Sequence, residues 1–383
     1  MKRFKVVHLT TVHPPLDIRI FRKECRTLVQ AGYDVTLIAN ANKTEVVEGI
    51  KICGLGVTKS RWDRMTRGLM KSWAMALMEK GDVYHFHDPE LIPVGLLLKL
   101  VGKKVIYDVH EDFAASLLES DREWMPSYLK GVMSRLVRIA ERIGVRAYDA
   151  VVAATPKISA LFPGNGTVLV QNYPIIDELI CHGEIPYSQR PGNIIYAGGI
   201  SERRGIGEMI RAMNLVSSPD ARLILAGNFD TPRLAQQVLN IPGWDLTTYL
   251  GLLQRSDLAE VMAKCRMGLV LFYPIKNHIE AQPNKLFEYM SAGIPVIVSN
   301  FPMWREIVEV SDCGILVDPL SPEKIAEAIK WLLENPDEAE AMGKRGKQAV
   351  EGKYNWDIEK KKLLTCYEKI LAKIKDVRLR LCI

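Results

Sequence analysis

Short apolar runs alternate along the chain with stretches whose apolar positions return every three to four residues, the periods of a buried strand and of an amphipathic helix. Residues 4–10 form the first run, residues 18–31 carry a helical pattern that Gly32 ends, and residues 35–39 are apolar again. Strand, helix, strand in that order predicts a parallel sheet with helical crossovers, an α/β chain. The rhythm continues in strand ends at 82–89 and 104–112, an amphipathic helix over 127–148 and a strand at 150–155. Residues 177–192, rich in turn formers and polar side chains, read as a linker. Beyond it come strands at 194–199, 223–228, 249–251, 267–272, 296–299 and 313–319, with a helix at 208–216. From residue 321 the pattern is helical, with a stop and restart at Asn335 and Pro336.

Polar residues gather just past several of these strands, where open parallel sheets bind ligands. After the first strand, Asp17 and Arg19 either meet a ligand or, respectively, cap the next helix and stand in solvent. The ends at 82–89 and 104–112 hold two histidine-acid clusters, His85-Phe86-His87-Asp88 and Asp108-Val109-His110-Glu111. Such clusters weigh more toward function than an isolated histidine does. Gly198-Gly199 leads into Ile200-Ser201-Glu202-Arg203-Arg204-Gly205, where glycines let a phosphate approach the backbone and guanidinium forks can grip it. The glycine spacing is not that of a dinucleotide fold.

Residues 280–295 concentrate the most chemistry. Pro283 suits the start of a helix, whose free N–H groups at Asn284, Lys285 and Leu286 would attract an anion such as phosphate. Glu288, one turn in, and Glu280, on the approach, can each accept hydrogen bonds from vicinal hydroxyls. Two polyols flanking a phosphate describe a nucleotide sugar. The competing reading is a capped surface helix with solvated acids.

Composition adds bounds. The 383 residues allow two domains, and 48% hydrophobic with 25% charged residues is ordinary for a globular enzyme. No run approaches the ~18 apolar residues of a membrane span. The basic, then briefly apolar start has no small-residue cleavage site after it and reads as the first buried strand. Cys25, Cys53, Cys181, Cys265, Cys313, Cys366 and Cys382 show no metal or redox spacing and point to reduced thiols in a cytosol. The net charge of +6 suits anionic ligands or an anionic membrane face and is too weak for nucleic acid. Two segments fit such a membrane. Over 127–148, Leu129, Val132, Leu136, Ile139 and Ile143 form one face beside Arg135, Arg138, Arg142 and Arg146, and 59–80 interleaves Arg61, Arg64, Arg67 and Lys71 with Trp62 and Trp73. For each, the alternative is a basic face that is simply solvated.

Glu280 and Glu288, followed by Met290-Ser291-Ala292-Gly293-Ile294-Pro295-Val296, resemble the acidic signature of the retaining glycosyltransferases of family four, which have the GT-B fold. Residues 168–174, 194–199, 313–319 and Tyr354-Asn355-Trp356 also resemble family segments. Where the family has Gly-Arg and, five residues later, Lys-Gly, this chain has Gly199 and Arg204, so the first cation is missing and the second is arginine. Asp17 and Arg19 replace the usual glycine pair of the first loop.

The resemblance implies two Rossmann-like parallel-sheet domains facing across a cleft. Residues 1–180 would be the acceptor domain, completed by a last helix over 357–383 that crosses back, and 181–356 the donor domain. It implies transfer of a sugar from a nucleotide sugar, UDP favoured over GDP, to a sugar or lipid-linked acceptor hydroxyl with retained configuration. The setting is surface-polysaccharide or glycolipid synthesis, cytoplasmic and peripheral at the inner membrane face. No metal or other obligatory cofactor follows. Glu288 would hold the ribose, Gly199, Arg203, Arg204, Asn284, Lys285 and Leu286 the diphosphate, Glu280 the transferred sugar and His110 its reacting face, with Asp17 and Arg19 on the acceptor side. A GT-B nucleotide-sugar 2-epimerase and a non-catalytic nucleotide-sugar-binding subunit are the alternatives.

Overall fold

The apolar runs are the strands of two parallel sheets, each in its own unit. In the computed structural model, which describes residues 3–56, 60–119, 126–164, 166–179 and 185–381, one unit comprises Met1–Asn172 with Asp357–Ile383 and the other Tyr173–Trp356.

In the first unit the strands are β1 (Lys5–Leu9), β2 (Asp34–Ala39), β3 (Glu45–Val47), β4 (Ile50–Gly54), β5 (Val83–Phe86), β6 (Lys104–Val109), β7 (Ala150–Ala153) and β8 (Thr167–Leu169). They stand in the order β3-β4-β2-β1-β5-β6-β7-β8, and only β3 with β4 is antiparallel. The chain turns outward to both sides of β1, so β1 and β5 flank a topological switch point, the usual ligand crevice of such sheets. Register sets His8 beside His85 and Phe86 beside Tyr107. His87 and Asp108 therefore leave adjacent strand ends together.

Helix α1 runs through Ile18–Cys25 and Arg26–Gln30. Asp17 caps it, its Oδ1 accepting from the N–H of Arg19 (2.8 Å) and Ile20 (2.9 Å). Its opening stretch is π-wound, with the Arg22 N–H donating to the Asp17 carbonyl at 3.1 Å, a winding often found at functional sites. The C-terminal helix, Trp356–Leu381, buries Leu363, Tyr367, Ile370 and Leu371. From Glu359, Oε2 accepts the Gln171 N–H at 2.9 Å.

Helix α2 (Ser127–Ala147) does not bury the face on which its apolar residues line up. Leu129, Val132, Leu136, Ile139 and Ile143 are 40–54% exposed. The face that packs carries Ser134, whose hydroxyl donates to the Ala114 carbonyl, together with Arg138, Glu141 and Gly144. In the upstream segment, Lys59 lies outside the described residues and so does the Arg61 side chain. Arg64 is bound to Glu90 and Lys71 to the Leu55 carbonyl, while Trp62 is exposed.

The second unit holds β9 (Asn193–Ala197), β10 (Arg222–Ala226), β11 (Thr247–Gly251), β12 (Met267–Val270), β13 (Val296–Ser299) and β14 (Gly314–Val317), all parallel, in the order β11-β10-β9-β12-β13-β14. Its switch point lies between β9 and β12. Three helices matter for the site: α3 (Ile206–Leu215), α4 (Arg255–Met262) and α5 (Asn284–Ser291). Tyr289 locks α5 to the sheet, its ring lying where a side chain at Gly268 would stand and its hydroxyl oxygen accepting the Ala197 N–H at 2.8 Å. The expected linker is partly built into this unit, with Leu179 and Tyr187 buried and residues 180–184 outside the described set. No helix among the described residues is long and apolar enough to cross a membrane. Cys25, Cys53, Cys265, Cys313 and Cys366 are buried free thiols, and Cys181 and Cys382 lie outside the described residues.

Candidate functional site

At the switch point of the second unit, α5 begins one residue after Pro283, which occupies the cap position. The Leu286 N–H turns back to the Pro283 carbonyl at 3.2 Å and its side chain is core. The amides of Asn284 and Lys285 belong to the first turn, which offers them no partner within the helix. Lys285 sends its side chain under β9, where Nζ lies 3.7 Å from the Tyr196 ring centre and 5.2 Å from that of Phe272. It is 8% exposed, and its Nζ has no hydrogen-bond partner. Burial first, then Arg204, holds the ammonium well below the usual lysine range, with Glu288 opposing.

Arg204 folds back so that Nη1 donates to the Gly199 carbonyl at 3.0 Å. A Cβ at Gly199 would sit 2.5 Å from that nitrogen, so the guanidinium occupies the seat of a side chain at 199. Gly205 takes φ +71° against the Leu271 carbonyl, where no side chain fits. Arg203 joins the loop to β12's end, its carbonyl accepting the Tyr273 N–H at 2.8 Å. His278, on the short helix Lys276–Ile279, stands in the same positive field, its pKa lowered by burial and by Arg204, Arg203 and Lys285. Sequence reasoning passed over it because a histidine in a loop carries no signal of that field.

Glu280 ends that short helix and is half-buried. Glu288 is engaged: Arg255 of α4 donates to its Oε1 at 2.8 Å and to Glu178 Oε2 at 2.8 Å. Nothing in the local sequence marked Arg255.

In the first unit, Asp108 is a hub. Its Oδ2 is 2.7 Å from His110 Nε2, 3.0 Å from His87 Nδ1 and 2.9 Å from Arg19 Nε, and its Oδ1 accepts Arg19 Nη2 at 2.8 Å. Burial would raise the Asp108 pKa, but Arg19 and then His110 hold it well below the carboxylate range. A carboxylate only accepts, so His110 carries a proton on Nε2. Arg19 is neither solvated nor open to a ligand: it is 4% exposed, and Nη1 donates to the Val170 carbonyl at 2.9 Å. Asp17 caps α1 and faces His13, whose ring is 5.1 Å from that of His110. Burial would raise the Asp17 pKa, but hydrogen bonds from His13 and the Ile20 N–H bring it to about 2. Asp88 binds Thr10 Oγ1 at 2.8 Å and the Thr11 N–H at 2.6 Å, holding the loop after β1. Asp88 belongs to the first of the two histidine-acid clusters; His13 was not among the expected site residues.

Two Rossmann-like parallel-sheet units, each with polar side chains at its switch point, define a GT-B architecture. The family of glycosyl transferases group 1 matches residues 182–349, and the glycosyl transferase 4-like domain matches residues 19–169. The chain belongs to these glycosyltransferases. Among relatives, the phosphatidyl-myo-inositol mannosyltransferase of Mycolicibacterium smegmatis is 23% identical over 90% of this chain and 87% of its own. Among solved structures, sucrose-phosphate synthase from Thermosynechococcus elongatus superposes with a TM-score of 0.79 at 18% identity, covering 97% of this chain and 100% of that one. Anabaena HepE in complex with UDP and glucose superposes at 0.72, with 14% identity and coverage of 96% and 100%.

Proposed function

We propose that the chain is a retaining glycosyltransferase that takes a sugar from a UDP-sugar, bound on the second unit, to a hydroxyl of a polysaccharide or glycolipid acceptor. The observation that carries this reading is Lys285, a buried amine without a hydrogen-bond partner beside Arg204 and the open amides of α5. Such a cluster lacks an anion, and a diphosphate supplies one. The UDP held by HepE supports that choice, and the lipid acceptor is suggested by the mannosyltransferase relative.

In this reading Lys285, Arg203, Arg204 and the amides of Asn284 and Lys285 take the diphosphate, with Gly199 giving room for Arg204. Glu288, aimed by Arg255, accepts from the ribose hydroxyls, Glu280 from those of the transferred sugar, and His110 through Nδ1 from a hydroxyl of the reacting sugar. Asp17 serves the acceptor side, and Arg19 acts only through Asp108. The bond from the anomeric carbon to the phosphate oxygen breaks as the acceptor oxygen bonds on the same face. The acceptor proton passes to the departing phosphate. The positive groups around the diphosphate stabilise its charge as it leaves, without a metal.

A thermal-shift panel of nucleoside diphosphates and their sugars tests the donor, since a ligand of the folded state raises its melting temperature by mass action. UDP compounds are expected to shift it most; a response confined to another base would overturn the UDP assignment. Slow UDP-sugar hydrolysis is expected to fall about a hundredfold or more in Glu280→Ala. Turnover that persisted would remove Glu280 from its role.

A further inference from the structure

Beneath Asp108, the interior of the first unit holds a second set of donor groups. His8 comes from β1, His85 and His87 from β5 and the residue just past it, and Glu24 from α1, and all are buried. One donor atom from each lies within 4.8 Å of the other three. His8 Nδ1 is 2.9 Å from His87 Nε2, and Glu24 Oε2 is 3.9 Å from His85 Nδ1 and 4.0 Å from His87 Nε2. Four ligands at ~2.0–2.1 Å around a tetrahedral Zn2+ stand about 3.3 Å apart. The observed separations bracket that spacing, so sub-ångström shifts would close the set on a metal.

Charge leads to the same place. Arg19 is shared by two carboxyl groups, Asp108 at 2.8 Å and Glu24 Oε1 at 3.2 Å. That leaves one buried carboxyl group in excess, which must hold a proton or face a cation. Neither Glu24 oxygen accepts a hydrogen bond. For His87 and His8, though not for His85, whose Nε2 has no hydrogen-bond partner, the surroundings also suit coordination, because a metal-bound imidazole hands its other nitrogen to an outer partner. His87, with Nε2 turned to the cluster, has Nδ1 3.0 Å from Asp108, and His8, with Nδ1 turned inward, has Nε2 3.3 Å from the Tyr367 hydroxyl. The same hydroxyl is 2.8 Å from His85 Nδ1, so coordination by His85 would release Tyr367 to His8 alone.

We propose that His8, His85, His87 and Glu24 hold one divalent transition-metal cation, Zn2+ by preference, in a closed structural site. Three imidazoles with one carboxylate favour zinc among the common divalent ions. Full enclosure leaves no position for substrate, so the ion would pin α1, β1 and β5 together under the loops that carry His13 and His110. The site lies in the first unit and is independent of the diphosphate-binding reading of the second.

The test is metal content of the full-length chain purified without chelators, measured by inductively coupled plasma mass spectrometry. About one zinc per chain is expected, falling to below ~0.1 in Glu24→Gln and in His85→Ala, and unchanged in His13→Ala. If those ligand variants fail to fold, the wild type alone suffices: a strong chelator should lower its melting temperature by ~5 °C or more, with Zn2+ restoring it. Co2+ should then give the visible bands of a tetrahedral site. Less than ~0.1 equivalent of metal together with no melting response to Zn2+ would overturn the proposal and leave a proton on Glu24. Metal that is retained by folded Glu24→Gln, or lost from His13→Ala, would overturn it as well.

Discussion

Lys285 is an amine whose surroundings disfavour its charged form, and this gives it a measurable signature. Desolvation is the main cause, Arg204 the second. A diphosphate arriving beside it would favour the ammonium, so binding should be accompanied by net proton uptake. The sign follows: UDP affinity should rise as pH falls from the ordinary lysine range of ~10 toward neutrality. Calorimetric titration with UDP in buffers of different ionisation enthalpy should show net proton uptake, and Lys285→Met should abolish it. The same variant should weaken UDP by about 2–5 kcal/mol, the cost of truncating one partner of a buried charge pair. Uptake that survived in Lys285→Met would place the proton elsewhere.

At the scale of elements, α2 carries two separate consequences. Its exposed apolar face runs beside exposed Arg135, Arg142 and Arg146, a composition that suits an anionic bilayer surface. Vesicles rich in anionic lipid should bind the protein at low salt, and Leu136→Asp with Ile139→Asp should reduce that binding about tenfold or more. Equal binding by the variant would show that another surface is used. On the packed face, Glu141 is 1% exposed, and burial raises its pKa to about 7, with Arg138 opposing. A carboxyl raised in the folded state contributes stability below its unfolded value of ~4.3 that is lost as pH rises toward about 7. Glu141→Gln should therefore flatten the melting temperature against pH in that window. The gain at pH 8 would be on the order of 3 kcal/mol.

The strands and the start of α1 were legible because periodicity and an aspartate cap are local signals. The packed face of α2 was not, since Ser134 and Gly144 permit close approach without looking apolar. The same divide runs through the candidate site. Glycines 198, 199 and 205 and the two glutamates announced themselves by spacing. Arg255 reaches Glu288 from 33 positions away and Arg19 reaches Asp108 from 89. Such pairs exist only once the sheet order is set, and the burial of Lys285 depends on where β9 lies beneath α5.

For the whole molecule, the division into units makes the C-terminal helix a test piece. From Asp357 onward it belongs to the first unit, where Leu363, Tyr367, Ile370 and Leu371 are buried. Each such side chain contributes roughly 1.5–3 kcal/mol on burial, and together they rival the ~5–15 kcal/mol that holds a domain folded. Deleting residues 357–383 should abolish the melting transition of the first unit while UDP still raises that of the second. Loss of the UDP response in this truncation would mean that the donor site needs the first unit intact.

Gly199 bears on the mutational history open to this chain. Because the Arg204 guanidinium already fills the space above it, any side chain introduced at this position must first displace the end of that arginine. Gly199→Ala would press its Cβ on Nη1 and turn the guanidinium from the Gly199 carbonyl, whereas in Arg204→Lys the same change would meet no guanidinium. The two positions are thus coupled, and the effect of either change on diphosphate binding should depend on which residue stands at the other.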